Sequence, residues 1–195
     1  MKPLYPVFLK LEGRDVVLVG GGAVASAKLR ELTAAGARVT VVTPDARSEM
    51  TCVPGVVIVL RSFVASDLDR AWLVISAATP EINRQVVAAA EERRIFVNAV
   101  DDAESASAYT GGVLRKGGVT VAVSTEGRAP ALAGLLREGL EAVIPDEVEA
   151  WVALAGELRK RQRLARVPMA ERRPLLLRSL NRLYEGRSAE VEAKA

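Results

Sequence analysis

Residues 16–36, Val-Val-Leu-Val-Gly-Gly-Gly-Ala-Val-Ala-Ser-Ala-Lys-Leu-Arg-Glu-Leu-Thr-Ala-Ala-Gly, run from a β-branched apolar stretch through three glycines straight into a helical pattern. A strand that turns on glycine directly into a helix leaves helix N–H groups facing outward at the turn, and that arrangement binds phosphate. Gly20 permits the tight turn and Gly22 lets the backbone approach an anion with no Cβ in the way. Ala25 fills the third, close-packing position of a G-x-G-x-x-G/A pattern, and Ala23 and Val24 open the helix. Gly36 stops that helix, and Val39-Thr-Val-Val-Thr43 follows as a second strand, so the strand and helix context that a dinucleotide site requires is present.

The position that ends the second strand, where an Asp or Glu would hold the ribose hydroxyls of NAD, is Thr43 in Thr43-Pro44-Asp45. Two arrangements are open there: Asp45 reaches the ribose from two residues further on, or Thr43 and the adjoining backbone do so. Arg47 keeps an NADP reading in view, and NAD is the expected cofactor.

Strand-like runs recur at residues 16–19, 39–42, 56–60, 73–76 and 95–100, with helical patterns at 23–35 and 81–94 between them. This alternation predicts an α/β chain with a Rossmann-like parallel sheet covered by helices. Ligands in such sheets bind beyond the carboxyl ends of the strands, which singles out residues 20–24, 43–45, Ala78-Thr79 and Asp101-Asp102. The pattern then changes. Residues 113–124 predict a β-hairpin around Lys116-Gly117-Gly118. Pro130 opens a helix to about Ile144, with Leu132, Leu135, Leu136, Leu140 and Val143 on one apolar face and Pro145 behind it. Residues 147–166 and 170–184 read as two helices separated around Pro168, and residues 187–195 as a frayed end. The expected organisation is a dinucleotide-binding domain over 1–111, a dimerisation region over 112–145 and a helical region over 146–195.

Composition narrows the chemistry. The chain has no histidine, which removes the commonest general base, the commonest zinc ligand and every Ser-His or Cys-His nucleophile arrangement. Proton transfer falls to a carboxylate, Lys, Tyr or water. The single Cys52 excludes an intrachain disulfide and reads as an ordinary cysteine. No stretch approaches eighteen apolar residues and the N-terminal sequence lacks signal-peptide architecture, so a soluble, cytoplasmic protein with no membrane contact is expected. The net charge of +3 is unevenly spread: residues 157–187 hold ten Lys or Arg against three Glu, whereas residues 1–156 hold sixteen against nineteen acids. Such a run is either a solvated helical face or an attraction for a polyanionic ligand. Nucleic acid is not the expected partner, because the region lacks a stacking pattern of aromatics.

The chain resembles the precorrin-2 dehydrogenases of sirohaem synthesis, a family that occurs also as part of sirohaem synthase and as a bifunctional dehydrogenase and ferrochelatase. The resemblance covers nearly the whole chain. It is carried by Tyr5-Pro-Val-Phe-Leu-Lys-Leu-Glu-Gly-Arg14 leading into Val17-Leu-Val-Gly-Gly-Gly22, by Ala78-Thr79, by Asn98-Ala-Val-Asp-Asp102, and by Val121-Ala-Val-Ser-Thr-Glu-Gly-Arg-Ala-Pro-Ala-Leu-Ala133. It implies NAD-dependent oxidation of precorrin-2 to sirohydrochlorin by a homodimer. The substrate is then a tetrapyrrole with many carboxylates, which suits the cationic segment, where Arg159, Arg163 and Arg166 join Arg128 as candidate partners.

The resemblance also assigns site residues. Asp101 occupies the position of the family's key aspartate and is the expected catalytic carboxylate, whether as proton acceptor or as a group that positions substrate; Asp102 reads as a turn or cap residue. Ser124 and Thr125 correspond to the family's loop near the tetrapyrrole, with Arg128 beside them. Glu126-Gly127 stands here where Gly-Gly is usual, and Tyr109-Thr-Gly-Gly112 where many members carry Phe and Pro. No permanent metal site is expected. Chelatase activity, with ferrous or cobaltous ion as a substrate, is the alternative enzyme reading, and a non-enzymatic NAD(H)-binding redox sensor is the third.

Overall fold

A computed structural model describes the backbone of residues 3–100, 102 and 104–192, with side chains described to residue 184. The contacts divide the chain into two compact units: residues 1–110 with 124–129, and residues 111–123 with 130–195.

The first unit is built on five parallel strands, β1 (Asp15–Val19), β2 (Arg38–Thr43), β3 (Val57–Leu60), β4 (Leu73–Ser76) and β5 (Phe96–Ala99), in the order β3-β2-β1-β4-β5. The apolar runs of β1 and β4 are continuous because both faces are buried. On one face Val16, Leu18, Val39, Val41 and Ile75 pack on Ala25, Leu29 and Leu32 of helix α1 (Ala23–Ala34) and on Met50 of the short helix α2 (Ser48–Thr51). On the other, Val17, Val19, Val42, Val74 and Val97 pack on Val86, Ala89 and Ala90 of helix α3 (Pro80–Glu92) and on Leu68 of a 3-10 turn over Ala65–Leu68. The sheet is thus wound on both sides, as the alternating pattern predicted, with boundaries within two residues of those read from sequence. The outer edge of β5 is covered: the Ser107 and Ala108 N–H groups donate to the Val97 carbonyl, both at 3.0 Å, and the Ser107 hydroxyl accepts the Val97 N–H at 2.9 Å.

The helix ends have local causes. Gly36 takes φ +76° after α1, and its Ala37 N–H returns to the Leu32 carbonyl. Arg94 adopts the same left-handed conformation after α3, φ +55°, with the Ile95 N–H returning to Ala90.

In the second unit β6 (Gly112–Lys116) and β7 (Val119–Val123) form an antiparallel hairpin. Gly117 and Gly118, at φ +52° and +79°, supply the two left-handed residues its turn demands. Helices α4 (Pro130–Val143), α5 (Val148–Leu164) and α6 (Met169–Glu192) follow. Lys116 Nζ fastens the hairpin turn to the end of α4 by donating to the Ile144 carbonyl at 2.8 Å and pairing with Asp146 at 2.7 Å. The backbone of α6 runs on to Glu192, past the end at residue 184 expected from sequence, with no proline beyond Pro174 to stop it. No helix among the described residues is long and apolar enough to cross a membrane.

Candidate functional site

The strand order reverses between β1 and β4, and in open α/β sheets a crevice forms outside the carboxyl ends of strands at that point. Here the crevice is a cleft of about 370 Å³ lined mainly by apolar groups, with Gly20, Gly21, Gly22, Thr43, Ala78 and Thr79 among its walls. Pro44, Ser62, Phe63 and Ile82 line it as well.

The three glycines meet different surroundings. Gly20 lies at φ +126°, and a Cβ on it would sit 2.2 Å from the Ala77 carbonyl oxygen, so the crossing of the β1 and β4 ends requires glycine. Gly21, the unassigned middle position of the motif, is tighter still. A Cβ there would overlap the Asp45 carbonyl oxygen at 1.8 Å and the Thr43 hydroxyl at 2.7 Å. The Arg47 N–H also donates to the Gly21 carbonyl at 3.3 Å, closing the loop after β2 onto the turn. Gly22 has extended dihedrals that any residue adopts, and nothing lies within 4 Å of its absent Cβ. No protein atom therefore requires glycine at this position. Gly22 precedes Ala23 and Val24 in the first turn of α1, which has no side-chain cap and no acidic residue. The positive end of α1 is therefore open to an anion. A turn held by Gly20 and Gly21, with the open Gly22 leading into an uncapped helix, fits the pyrophosphate of a dinucleotide.

The ribose question is narrowed by Thr43. Its hydroxyl donates to the Asp45 carbonyl at 2.8 Å and accepts the Asp45 N–H at 3.3 Å, and the residue is buried. That hydroxyl shapes the turn, while the exposed Asp45 carboxylate stays available. Arg47 faces Glu49 at 3.4 Å.

Beside Ala78, sequence reasoning missed a buried pair. The Ser76 hydroxyl donates to Asn83 Oδ1 at 2.6 Å, and the Ala78 N–H donates to the same oxygen at 3.1 Å. Asn83 Nδ2 donates to the Val100 carbonyl at 3.2 Å. The signal in sequence was a lone Asn on the otherwise apolar inward face of α3, where Val86, Ala89 and Ala90 are its neighbours.

Asp101 lies outside the described residues. Its neighbour Asp102 accepts the Ser105 N–H at 3.2 Å, the turn role expected of it. Ser124, Thr125 and Arg128 fall within residues 124–129, which pack with the first unit. Ser124 Oγ accepts the Glu126 N–H at 3.1 Å, Thr125 Oγ1 accepts the Ala129 N–H at 3.2 Å, and exposed Arg128 pairs with Glu126 at 2.9 Å. Glu126 itself adopts φ +56° ahead of Gly127 at +75°, so it takes a left-handed conformation at the position where the resembled family has glycine. Cys52 is exposed, and among the described residues no group of three or more Cys, Asp or Glu side chains is placed to hold a metal ion.

A larger hollow, about 670 Å³, opens at the opposite ends of β1 and β2, between Asp15, Arg38, Asp67, Asp69 and Arg70. Its charges are mostly closed on protein partners: Arg38 donates twice to Asp15, at 2.8 and 2.9 Å, Asp67 is held by Arg61, and Asp69 pairs with Arg93 at 2.9 Å. The glycine cleft is the better candidate because it ends at the uncapped first turn of α1.

Residues 7–112 match the family described as "Putative NAD(P)-binding", and residues 116–142 match "Sirohaem biosynthesis protein central". Among curated proteins the chain is 39% identical over 172 residues to "Siroheme synthase 3" of Aeromonas hydrophila, covering 86% of this chain and 37% of that one. It is 43% identical over 178 residues to "Siroheme synthase 2" of Klebsiella pneumoniae, with 86% and 38% coverage. The chain thus spans little more than a third of the length of these relatives. Among solved structures, "SirC, precorrin-2 dehydrogenase" superposes with a TM-score of 0.68 at 22% identity, over 90% of this chain and 88% of that one, and so shares the fold. With over half of its residues inside the NAD(P)-binding match and the sirohaem central segment directly behind it, the chain belongs to the sirohaem synthase N-terminal family of NAD(P)-binding proteins.

Proposed function

We propose that the protein is a dehydrogenase that oxidises precorrin-2 to sirohydrochlorin with NAD as acceptor. The observation that carries this reading is the nucleotide cleft: Gly20 and Gly21 are forced by the backbone around them, whereas Gly22 is bare and leads into an uncapped helix. Bound NAD supplies a hydride acceptor, and the two-electron oxidation sheds a proton besides. The chain's own residues hold and orient. Helix N–H groups at Ala23 and Val24 and the Gly22 backbone face the pyrophosphate. The Asp45 carboxylate takes the ribose hydroxyls and repels a 2′-phosphate, while Arg47 is occupied by Glu49, which favours NAD over NADP. Ala78 and Thr79, which line the cleft, would help hold the cofactor there.

Asp101 supplies the carboxylate for the proton or for substrate positioning, and Ser124, Thr125 and Arg128 contact the tetrapyrrole. Arg159, Arg163 and Arg166, all exposed on or just after α5, attract its carboxylates. A homodimer forms through residues 112–145, where Leu135 is 65% and Val143 77% exposed in the single chain.

The test is an anaerobic absorbance time course with enzymatically generated precorrin-2 in the presence of NAD, of NADP, and of neither. Sirohydrochlorin formed with NAD supports the reading. Nucleotide binding with no spectral change under any condition sinks it and favours a redox sensor.

A further inference from the structure

We propose that Asn83 is a positioning residue that sets the Ala77–Thr79 wall of the nucleotide cleft and the end of β5 together, through the two ends of one amide. It lies in the first half of α3, only 3% exposed, in a helix whose other inward positions are apolar. A buried amide in that setting is costly unless its hydrogen bonds are met, and here they are met by groups that belong to the site. On the acceptor side, Oδ1 takes the Ser76 hydroxyl at the end of β4 and the Ala78 N–H in the cleft wall. The Ala78 N–H is thereby turned away from the cleft, which presents an apolar surface at that point. On the donor side, Nδ2 holds the carbonyl of Val100, the residue that precedes Asp101 in the chain. The two sides are already laddered, since the Val100 N–H donates to the Ser76 carbonyl at 2.8 Å. Asn83 closes this ladder into a ring that a nonpolar residue of the same volume cannot form. The donor half of the inference rests on the dehydrogenase reading, and the acceptor half rests only on nucleotide binding.

Asn83→Asp separates the halves. An ionised carboxylate still accepts from Ser76 and Ala78, but it cannot donate to Val100 and repels that carbonyl. The three groups that meet the side chain carry no charge of their own, but Asp101, next in the chain after Val100, also titrates, so the recovery is read as the difference from the wild-type pH profile in both kcat and NAD binding. The expected result is NAD binding within about threefold of wild type, with kcat lower by about tenfold at alkaline pH and recovering as the carboxyl protonates and donates again. Asn83→Ala removes both halves and is expected to weaken NAD binding as well as kcat. Where either variant fails to give a cooperative thermal melt, Ser76→Ala, which removes one donor to the same oxygen, is expected to weaken NAD binding with the tetrapyrrole KM unchanged.

A folded Asn83→Ala with wild-type NAD affinity overturns the proposal. So does an Asn83→Asp enzyme whose losses show no recovery at low pH. A wild-type protein that binds NAD without oxidising precorrin-2 defeats the dehydrogenase reading instead, and the NAD titrations still decide the cleft-wall half.

Discussion

The two units of this chain bury their apolar side chains to very different extents. In the first, the sheet is sealed on both faces, and Leu18, Val41, Val74, Val86 and Val97 are fully buried. In the second, the buried apolar side chains among the described residues are Leu114, Ala133 and Val148, while Leu132, Leu135, Leu136, Leu140 and Val143 of α4 are all exposed. Helix α4, with 14 residues, is about as long as α1 and α3, with 12 and 13, so the difference does not come from helix length. A parallel sheet gives each crossover helix a flat apolar floor, whereas a two-stranded hairpin has one small face and two open edges. The first unit is therefore a scaffold that can hold glycines rigidly enough to bind a nucleotide. The second leaves the apolar face of α4 exposed in the single chain.

The most damaging change expected is at the junction of scaffold and site. Gly21→Ala drives a Cβ into the Asp45 carbonyl and is expected to cost more than about 3 kcal/mol and to abolish NAD binding. Gly22→Ala meets no protein atom and should leave stability within about 1 kcal/mol while weakening NAD about tenfold or more. Thermal melts and nucleotide titration on the pair measure both. If the two variants behaved alike, the division between a structural and a ligand-facing glycine would fail.

Leucine truncations extend the contrast. Leu18→Ala, at 0% exposure, is expected to cost about 3 kcal/mol in denaturant unfolding, and Leu135→Ala, at 65%, to lie within about 0.5 kcal/mol for the isolated chain. The double change Leu136→Glu with Leu140→Glu probes the cover itself. Sedimentation should show the homodimer dissociation constant rising about 100-fold. An unchanged sedimentation profile would leave the α4 face without the proposed role.

The smallest effect concerns an ion pair of the first unit. Hydrogen bonding to Arg61 holds the Asp67 carboxyl below its ordinary value of 3.8, against the opposing push of burial and with help from the Val64 N–H. A lowered native pKa stabilises above the unfolded value, and that contribution is lost as pH falls through the native one. Asp67→Asn should therefore lower the melting temperature by about 2 °C at pH 7, with the gap closing in acid.

Much of this was legible in the sequence because burial on both faces leaves an uninterrupted apolar run, as at residues 16–19 and 73–76, and because a Gly-Gly pair between two strands admits few turns. The exposed leucine stripe of α4 was visible for the same reason, as a helical period with nothing in the adjoining hairpin large enough to cover it. Gly21 was not legible as the tightest glycine, since its constraint comes from the Asp45 carbonyl and the Thr43 hydroxyl, more than twenty residues away. Nor was the commitment of the Thr43 hydroxyl to its own turn, which sequence left as one of two ribose contacts.

What the sequence by itself determined is the set of local elements and the chemistry of their ends: strand, glycine turn, helix, the lack of histidine, and a cationic C-terminal stretch. Periodicity and backbone sterics act over a few residues, so they are written in neighbours. Tertiary structure alone decided the strand order that puts β1 against β4, which glycine meets protein and which meets empty space, and the joining of Ser76, Ala78 and Val100 through Asn83. Those depend on backbone atoms brought together by the crossover connections, and no local pattern encodes such distances.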